Sequence, residues 1–194
     1  MKTKKDFLLV GVGGQGTILA SDVLVDVGGR VGYDAKKSEI HGMAQRGGSV
    51  SSHVRWAERV YAPFIGDGEA DYFLAFEKLE AVRQVGSLKP GGIIIVNDYR
   101  IPPVSVSSGG ATYPSDDEVR RILQQVSPDI YFVPGTQIAD ELGNARVSNV
   151  VLLGALSKFL DVAEGVWLDA LARRVPERFI SINQRAFLRG RETT

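Results

Sequence analysis

Two segments near the N-terminus hold the residue types best suited to chemistry. One is the turn Gly11-Val-Gly-Gly-Gln-Gly16 with Thr17 behind it, and the other is Ser38-Glu-Ile-His-Gly-Met-Ala-Gln-Arg-Gly-Gly48. Gly11, Gly13 and Gly16 have the spacing of the dinucleotide fingerprint. Glycines at such a turn permit φ > 0 and close backbone approach, and the free N–H groups at the start of the next helix attract an anion. Gly11, Gly13, Gly14, Gln15, Gly16 and Thr17 are thus candidates for holding a phosphate or a carboxylate. The second segment sets Ser38, Glu39, His41, Gln45 and Arg46 among Gly42, Gly47 and Gly48, so a loose backbone carries reactive side chains, as functional loops do. His41 offers an imidazole that titrates near pH ~6.5. Arg46 offers a planar guanidinium suited to a carboxylate or phosphate. These two are the candidate catalytic groups. A solvated surface loop is the competing reading, although Met43 and Ala44 are poor filler for one.

Elements must position these groups. Phe7-Leu-Leu-Val10 has the apolar character of a buried strand, and Thr17 to Val27 carries Ile18, Leu19, Val23, Leu24 and Val27 at helical spacing, with Gly28-Gly29 as the expected stop. Val31-Gly-Tyr-Asp-Ala35 reads as the second strand, leading into a loop from Ser38. A dinucleotide site places an acid at that strand's tip. Only Asp34 is available, and it lies inside the strand, which opposes NAD. A turn that packs on the sheet and holds no ligand stays open.

Ser49 to Trp56 alternates Val50, Ser52, Val54 and Trp56 against Ser51, His53 and Arg55, the pattern of a strand with one buried face. Arg59 to Ala62 is the expected hairpin partner, ended by Pro63. His53 falls on the polar face, where a bond to a neighbour is expected. Tyr72 to Phe76, Ile93 to Asn97 and Ile130 to Val133 suit a mainly parallel sheet. Glu77 to Gln84 and Asp116 to Val126 are the intervening helices, the latter capped by Ser115, and Pro102 to Pro114 is an exposed loop. Val147 to Leu160 is apolar on nearly every face, as a central core helix or an interface helix would be. Pro176 to Gly190 follows as an amphipathic helix. The expected fold is α/β: a Rossmann-like, mainly parallel sheet flanked by helices, with a β-hairpin insertion and a C-terminal helical extension. One domain spans 1–194, as an α/β body over 1–146 and the extension over 147–194.

The 194 residues are 44% hydrophobic and 24% charged, the proportions of an ordinary globular protein. Lysine plus arginine balances aspartate plus glutamate at 23 each, so no basic excess points to nucleic acid, and no apolar run reaches the roughly 18 residues of a membrane span. Cysteine is absent, which removes the thiolates that hold iron–sulfur clusters and Cys-rich zinc sites, and the two histidines lack H-E-x-x-H spacing. No metal site is expected on this chain, and a cytoplasmic protein is expected because the basic start runs into too short an apolar core for a signal peptide.

Gly13-Gly-Gln-Gly-Thr17, Lys37-Ser-Glu-Ile-His-Gly-Met-Ala-Gln-Arg-Gly-Gly-Ser-Val50 and Ser52-His-Val-Arg55 resemble the gamma-type domain of the 2-oxoacid:ferredoxin oxidoreductases. Later segments agree in order, among them Gly68-Glu-Ala-Asp71, Leu88-Lys-Pro-Gly-Gly92, Glu141-Leu-Gly-Asn144 and Val175-Pro-Glu-Arg-Phe179. Within the family the likeness is greatest to the small (beta) subunit of the indolepyruvate ferredoxin oxidoreductase branch.

The resemblance implies a non-redox subunit of an enzyme that decarboxylates a 2-oxoacid on thiamine diphosphate, passes electrons through clusters to ferredoxin and releases an acyl-CoA. It places thiamine diphosphate, Mg and [4Fe-4S] clusters on a large alpha subunit. It also offers coenzyme A (CoA) or another phosphate as a ligand for the glycine turn, and substrate or the partner subunit as a contact for Ser38, Glu39, His41, Gln45 and Arg46. A homodimer of the isolated chain stays open. Indolepyruvate or another arylpyruvate is the implied substrate, with pyruvate, 2-oxoglutarate and branched-chain acids served by related subunits. A free-standing NAD- or flavin-dependent oxidoreductase and a non-catalytic scaffold are the alternatives. Gly66-Asp67-Gly68 with Asn97 imitates the thiamine signature, but Asp98 replaces its second asparagine and an apolar, strand-like run follows, so no thiamine site is expected there.

Overall fold

The computed structural model describes residues 2–41 and 47–194; of His41 it describes the backbone. Among these residues six strands form one sheet: β1 (Lys5–Val12), β2 (Asp34–His41), β3 (Ser49–Ala57), β4 (Ala70–Ala75), β5 (Leu88–Asn97) and β6 (Ile130–Val133), in the order β2-β3-β1-β4-β5-β6. The β1, β4, β5 and β6 strands are parallel neighbours, whereas β3 is antiparallel to both β1 and β2. The fold is therefore the expected α/β sheet flanked by helices, with its hairpin insertion at one end.

The hairpin itself differs from the sequence expectation. Its arms are β2 and β3, paired from Asp34↔Ala57 to His41↔Val50. Residues 59–62 form no strand; they belong to an irregular strap whose Val60 N–H donates to Asp34 Oδ2 and whose Val60 carbonyl accepts from Lys36 Nζ. The second strand also starts later and runs longer than expected, so Ser38, Glu39 and His41 stand on β2 and not in a loop.

Two apolar layers cover the sheet. On one face Phe7, Leu9, Val54, Trp56, Leu74 and Ile95 meet α1 (Thr17–Arg30), α5 (Gly135–Glu141), α6 (Ser148–Ser157), α7 (Glu164–Arg174) and α8 (Ile180–Arg191). On the other, Leu8, Val10, Phe73, Ala75, Ile94 and Val96 meet α2 (Lys78–Gln84) and α4 (Asp116–Gln124). The 98–115 connection is largely exposed and contains the one-turn helix α3 (Val104–Ser107). Ser115 caps α4 in a reciprocal box with Glu118, as the sequence implied.

Helix α1 passes through Gly28-Gly29 to Arg30, and Gly32, with a φ of 85°, closes its C-terminal turn. Gly28 does different work: a Cβ there would lie 2.5 Å from Trp56 Nε1, so its bareness lets the indole lie against the helix. Helix α6 is buried from Asn149 to Ser157, between the sheet and α8. It meets α8 at backbone distance, because Cβ atoms on Gly154 and Gly190 would lie 2.1 Å from Phe187 O and 1.9 Å from Val151 O.

Candidate functional site

The turn sits at the carboxyl end of β1, between β3 on one side and β4 on the other, where open α/β sheets bind ligands. Gly14 and Gly16 have φ of 105° and 80°, which no L side chain adopts cheaply. Gln15 is the internal brace: its Oε1 accepts from Val12 N–H at 2.8 Å and its Nε2 donates to Phe76 O at 2.9 Å, tying the turn to the end of β4. Asn97 Nδ2 donates to the same carbonyl at 3.2 Å and to Thr136 Oγ1 at 3.0 Å, which extends the brace to β5 and α5. Asn149 Nδ2 donates to Gly16 O at 3.1 Å and fixes the start of α1 to α6.

The two segments singled out from sequence are joined by main-chain bonds. Gly13 N–H donates to Gly48 O at 2.8 Å and Gly47 N–H to Gly13 O at 3.3 Å. Gly13 thus has its N–H spent. The N–H groups of Gly14, Gly16, Thr17, Ile18 and Leu19 have no hydrogen-bond partner among the described residues, and the start of α1 has neither a side-chain cap nor an acid in its first turn. That end of α1 is electropositive and undersatisfied.

Clefts lie on either side of the turn. One, of about 310 Å³, is lined by Gly13, Gly14, Gly16, Thr17, Glu39 and Ser52, with Ile18 at its edge. Glu39 Oε1 accepts from Lys37 Nζ at 2.5 Å, and Lys37 also pairs with Asp22 Oδ1 of α1 at 2.7 Å. Burial works against the Lys37 charge, but its bonds to Asp22 and Glu39 outweigh that and raise its pKa. The other cleft, of about 360 Å³, brings Tyr99, Thr136, Arg146 and Ser148 to Gly14 and Gly16. Sequence reasoning missed these residues and Asn149; the signal for Asn149 was an amide in an otherwise apolar helical run.

Ser38 and Glu39 lie on the hairpin beside the turn, and His41 ends β2. Gln45 and Arg46 lie outside the described residues, as does the His41 side chain. Asp34 stands at the opposite end of β2 from the turn, bonded to Val60 N–H and Lys36, and the Val60 bond chiefly holds its carboxyl below the usual range. His53 is 5% exposed on the face shared with Arg55. Its Nδ1 accepts from Ile65 N–H at 3.2 Å, and burial, then Arg55, lowers its pKa. The thiamine-like pair is separated by the length of the sheet: Asp67 precedes β4 while Asn97 ends the parallel β5. Six strand residues span roughly 20 Å, so the two cannot share one ion.

The family profile described as "Pyruvate ferredoxin/flavodoxin oxidoreductase" matches residues 6–193. The indolepyruvate oxidoreductase subunit IorB of Thermococcus kodakarensis is 39% identical over 188 residues, which cover 95% of this chain and 93% of that protein. The fold is shared with the gamma subunit of a keto/oxoacid ferredoxin oxidoreductase from Geobacter sulfurreducens, at a TM-score of 0.74 and 24% identity over 99% of this chain and 97% of that one. It is shared too with a 2-oxoglutarate:ferredoxin oxidoreductase from Magnetococcus marinus crystallised with 2-oxoglutarate, coenzyme A and succinyl-CoA. There the TM-score is 0.76 at 22% identity, and the match covers all of this chain but 31% of the longer one.

Proposed function

This chain belongs to the pyruvate ferredoxin/flavodoxin oxidoreductase family, and from that premise we propose that it is the small, non-redox subunit of an indolepyruvate-type 2-oxoacid:ferredoxin oxidoreductase. The observation that carries the substrate branch is the identity to IorB proteins, 35% to 39% in three of them over at least 94% of this chain. The family's thiamine diphosphate and iron–sulfur clusters belong to a larger partner subunit. This chain's own composition suits that division, since it contains no cysteine to ligate a cluster. Electrons reach ferredoxin through the partner.

The chain's contribution is to bind and orient. The N–H groups of Gly14, Gly16, Thr17, Ile18 and Leu19, unbonded among the described residues, and the adjacent Arg146 and Ser148 suit the phosphates of coenzyme A. Gln15, with both ends of its amide spent on the backbone, holds that cradle in shape and touches no ligand with them. Contact with the partner subunit or the substrate is assigned to Ser38, Glu39, His41, Gln45 and Arg46, with Arg46 as the carboxylate or phosphate contact. The NAD reading is disfavoured by β3, which stands between β1 and β2. Glu39, near the tip of β2, is thereby two strand spacings from β1, about 10 Å, and its carboxylate is held by Lys37.

The test is reconstitution. The purified chain alone should be colourless and inactive, and together with the large subunit it should support indolepyruvate- and CoA-dependent reduction of ferredoxin. Arg46→Ala should leave the isolated chain's melting temperature within the range of a surface change while turnover, or KM for 2-oxoacid or CoA, worsens about tenfold. A chain that carries flavin or nicotinamide and oxidises substrate unaided overturns the subunit reading.

A further inference from the structure

Helix α2 begins with an uncommon cap. N-terminal caps favour short side chains such as Ser, Thr, Asp and Asn, and Ser115 serves α4 in that way. At α2 the cap is Glu77, 1% exposed, whose Oε2 accepts from Glu80 N–H at 2.9 Å. Capping alone needs no second methylene. The longer side chain brings Oε1 to the 98–115 connection, where it accepts from Ile101 N–H at 3.0 Å and from the Tyr113 hydroxyl. Tyr113 Oη in turn accepts from Leu79 N–H at 3.1 Å, and burial, then the bond to Glu77, raises the phenol's pKa and keeps it a donor. Among the described residues Glu77 thus bonds three neutral donors and no cation. Burying a carboxyl in such surroundings is costly, and a residue that breaks a local rule at a cost points to a task beyond its own helix.

What Glu77 holds is a wall of the second cleft, which Tyr99 and Ile101 line together with Arg146 and Ser148. The backbone of that wall is fixed: Asp98 N–H donates to Val133 O at 2.8 Å, Tyr99 O accepts from Lys78 N–H at 3.2 Å, and Ile101 N–H is spent on Glu77. Lys78 Nζ pairs with Asp98 and, at 2.6 Å, with Asp116, which also takes Arg100 at 2.7 Å. Two side chains of the cleft are by contrast unspent. The Tyr99 ring is 40% exposed, and neither its hydroxyl nor the Arg146 guanidinium makes a hydrogen bond or ion pair among the described residues. An aromatic face and a guanidinium beside the unbonded N–H groups of the turn suit a nucleotide, whose base stacks on the ring while its phosphates take the cation.

We propose that Glu77 is a positioning residue, which does not itself line the cleft and, through the N–H of Ile101, holds Tyr99 where the base of coenzyme A stacks on it. The inference rests on the coenzyme A reading of the preceding section. Two conservative variants separate the duties of the carboxyl. Glu77→Asp still caps α2 but is one methylene short of Ile101, whereas Glu77→Gln keeps the reach and turns an N–H group toward Glu80 N–H, which spoils the cap.

In the enzyme reconstituted with the large subunit, Glu77→Asp should raise KM for CoA about tenfold while kcat, KM for the 2-oxoacid and KM for pantetheine, which lacks the nucleotide end, stay at wild-type values. Glu77→Gln should instead lower the melting temperature and leave KM for CoA nearly unchanged. Tyr99→Ala should raise KM for CoA by about tenfold as well, and in that background Glu77→Asp should add nothing. Wild-type KM for CoA in Glu77→Asp, additive losses in the double variant, or a kcat that falls in step refutes the positioning role. Should Glu77→Asp fail to fold, Tyr113→Phe, which removes one donor from the carboxyl, carries the measurement: a rise of about threefold in KM for CoA is expected, and none refutes the role. A wild-type enzyme that uses CoA and pantetheine with equal KM overturns the coenzyme A reading of the cleft, and this inference with it, while the subunit reading stands.

Discussion

Replacing Gly16 by alanine should expose how the turn is held, because two separable costs meet at that position. Its φ of 80° places an L side chain in the left-handed region, at about 1–2 kcal/mol. A Cβ would also lie 2.3 Å from Asn149 Nδ2 and force that amide off Gly16 O, at about 1 kcal/mol for the lost bond. Gly16→Ala should therefore cost about 2–3 kcal/mol by urea denaturation. Asn149→Ala should cost about 1 kcal/mol, since Gly16 O keeps its helical partner, the Ala20 N–H. In the double variant the bond is already gone and only the backbone strain remains, so the total should equal that of Gly16→Ala alone, a coupling of about 1 kcal/mol. Additive costs would refute the account of Asn149 as the group displaced. In the reconstituted enzyme Gly16→Ala, which reorients the N–H groups of the cradle, should raise KM for CoA more than Asn149→Ala does.

Gly154→Ala and Gly190→Ala place a methyl group against the backbone of the facing helix, which cannot step aside as a side chain can. Each should cost about 1–3 kcal/mol or more and lower the melting temperature. Arg55→Ala strands the fully buried Asp6, which Arg55 clasps through Nε at 2.6 Å and Nη2 at 3.0 Å, and leaves it, among the described residues, only the exposed Lys4. A loss of about 3–5 kcal/mol in denaturant titration is expected. His53, with a folded pKa below its unfolded value of about 6.5, contributes stability that is fully present above that pH. It is lost as the pH falls through it, because the unfolded chain takes the proton first. His53→Asn, which keeps an acceptor for Ile65 N–H, should flatten the fall in unfolding free energy between pH 7.5 and 5.5, and an unchanged slope would exonerate the histidine.

The parts of the fold carried by local pattern were legible. Apolar runs gave β1, β4, β5 and β6 to within a few residues, and Ser115 with Glu118 announced α4. What failed was long-range. Val31 to Tyr33 looked strand-like because it is apolar, yet Gly32 closes α1 there, and the strand begins where the apolar character ends. As an edge strand packed chiefly against β3 and α1, β2 uses Lys37 and Glu39 on its α1 face, and charges read as loop. Helix α7 was missed although Trp167, Ala170, Leu171 and Arg174 have helical spacing, because no capping side chain marks its start. The glycine turn was found, but the bonds of Gln15, Asn97 and Asn149 depend on contacts between residues 21 to 133 positions apart, which no spacing rule reports.

The position of β3 decides what the turn can serve. In a dinucleotide fold the strand beside β1 is parallel to it and ends in the acid that takes the ribose. Here that place is filled by an antiparallel strand whose leading glycines, Gly47 and Gly48, are bonded to Gly13. That side of the turn holds a cleft with no parallel strand tip beside it, and its lining acid Glu39 is paired with Lys37. The electropositive start of α1 remains, bordered by Arg146 and Ser148 on the second cleft. A site with an anion cradle and no ribose acid suits a ligand whose phosphates are anchored while its reactive end reaches elsewhere. Under the proposed function that ligand is coenzyme A, its nucleotide end held at the start of α1 and its thiol left to the partner subunit.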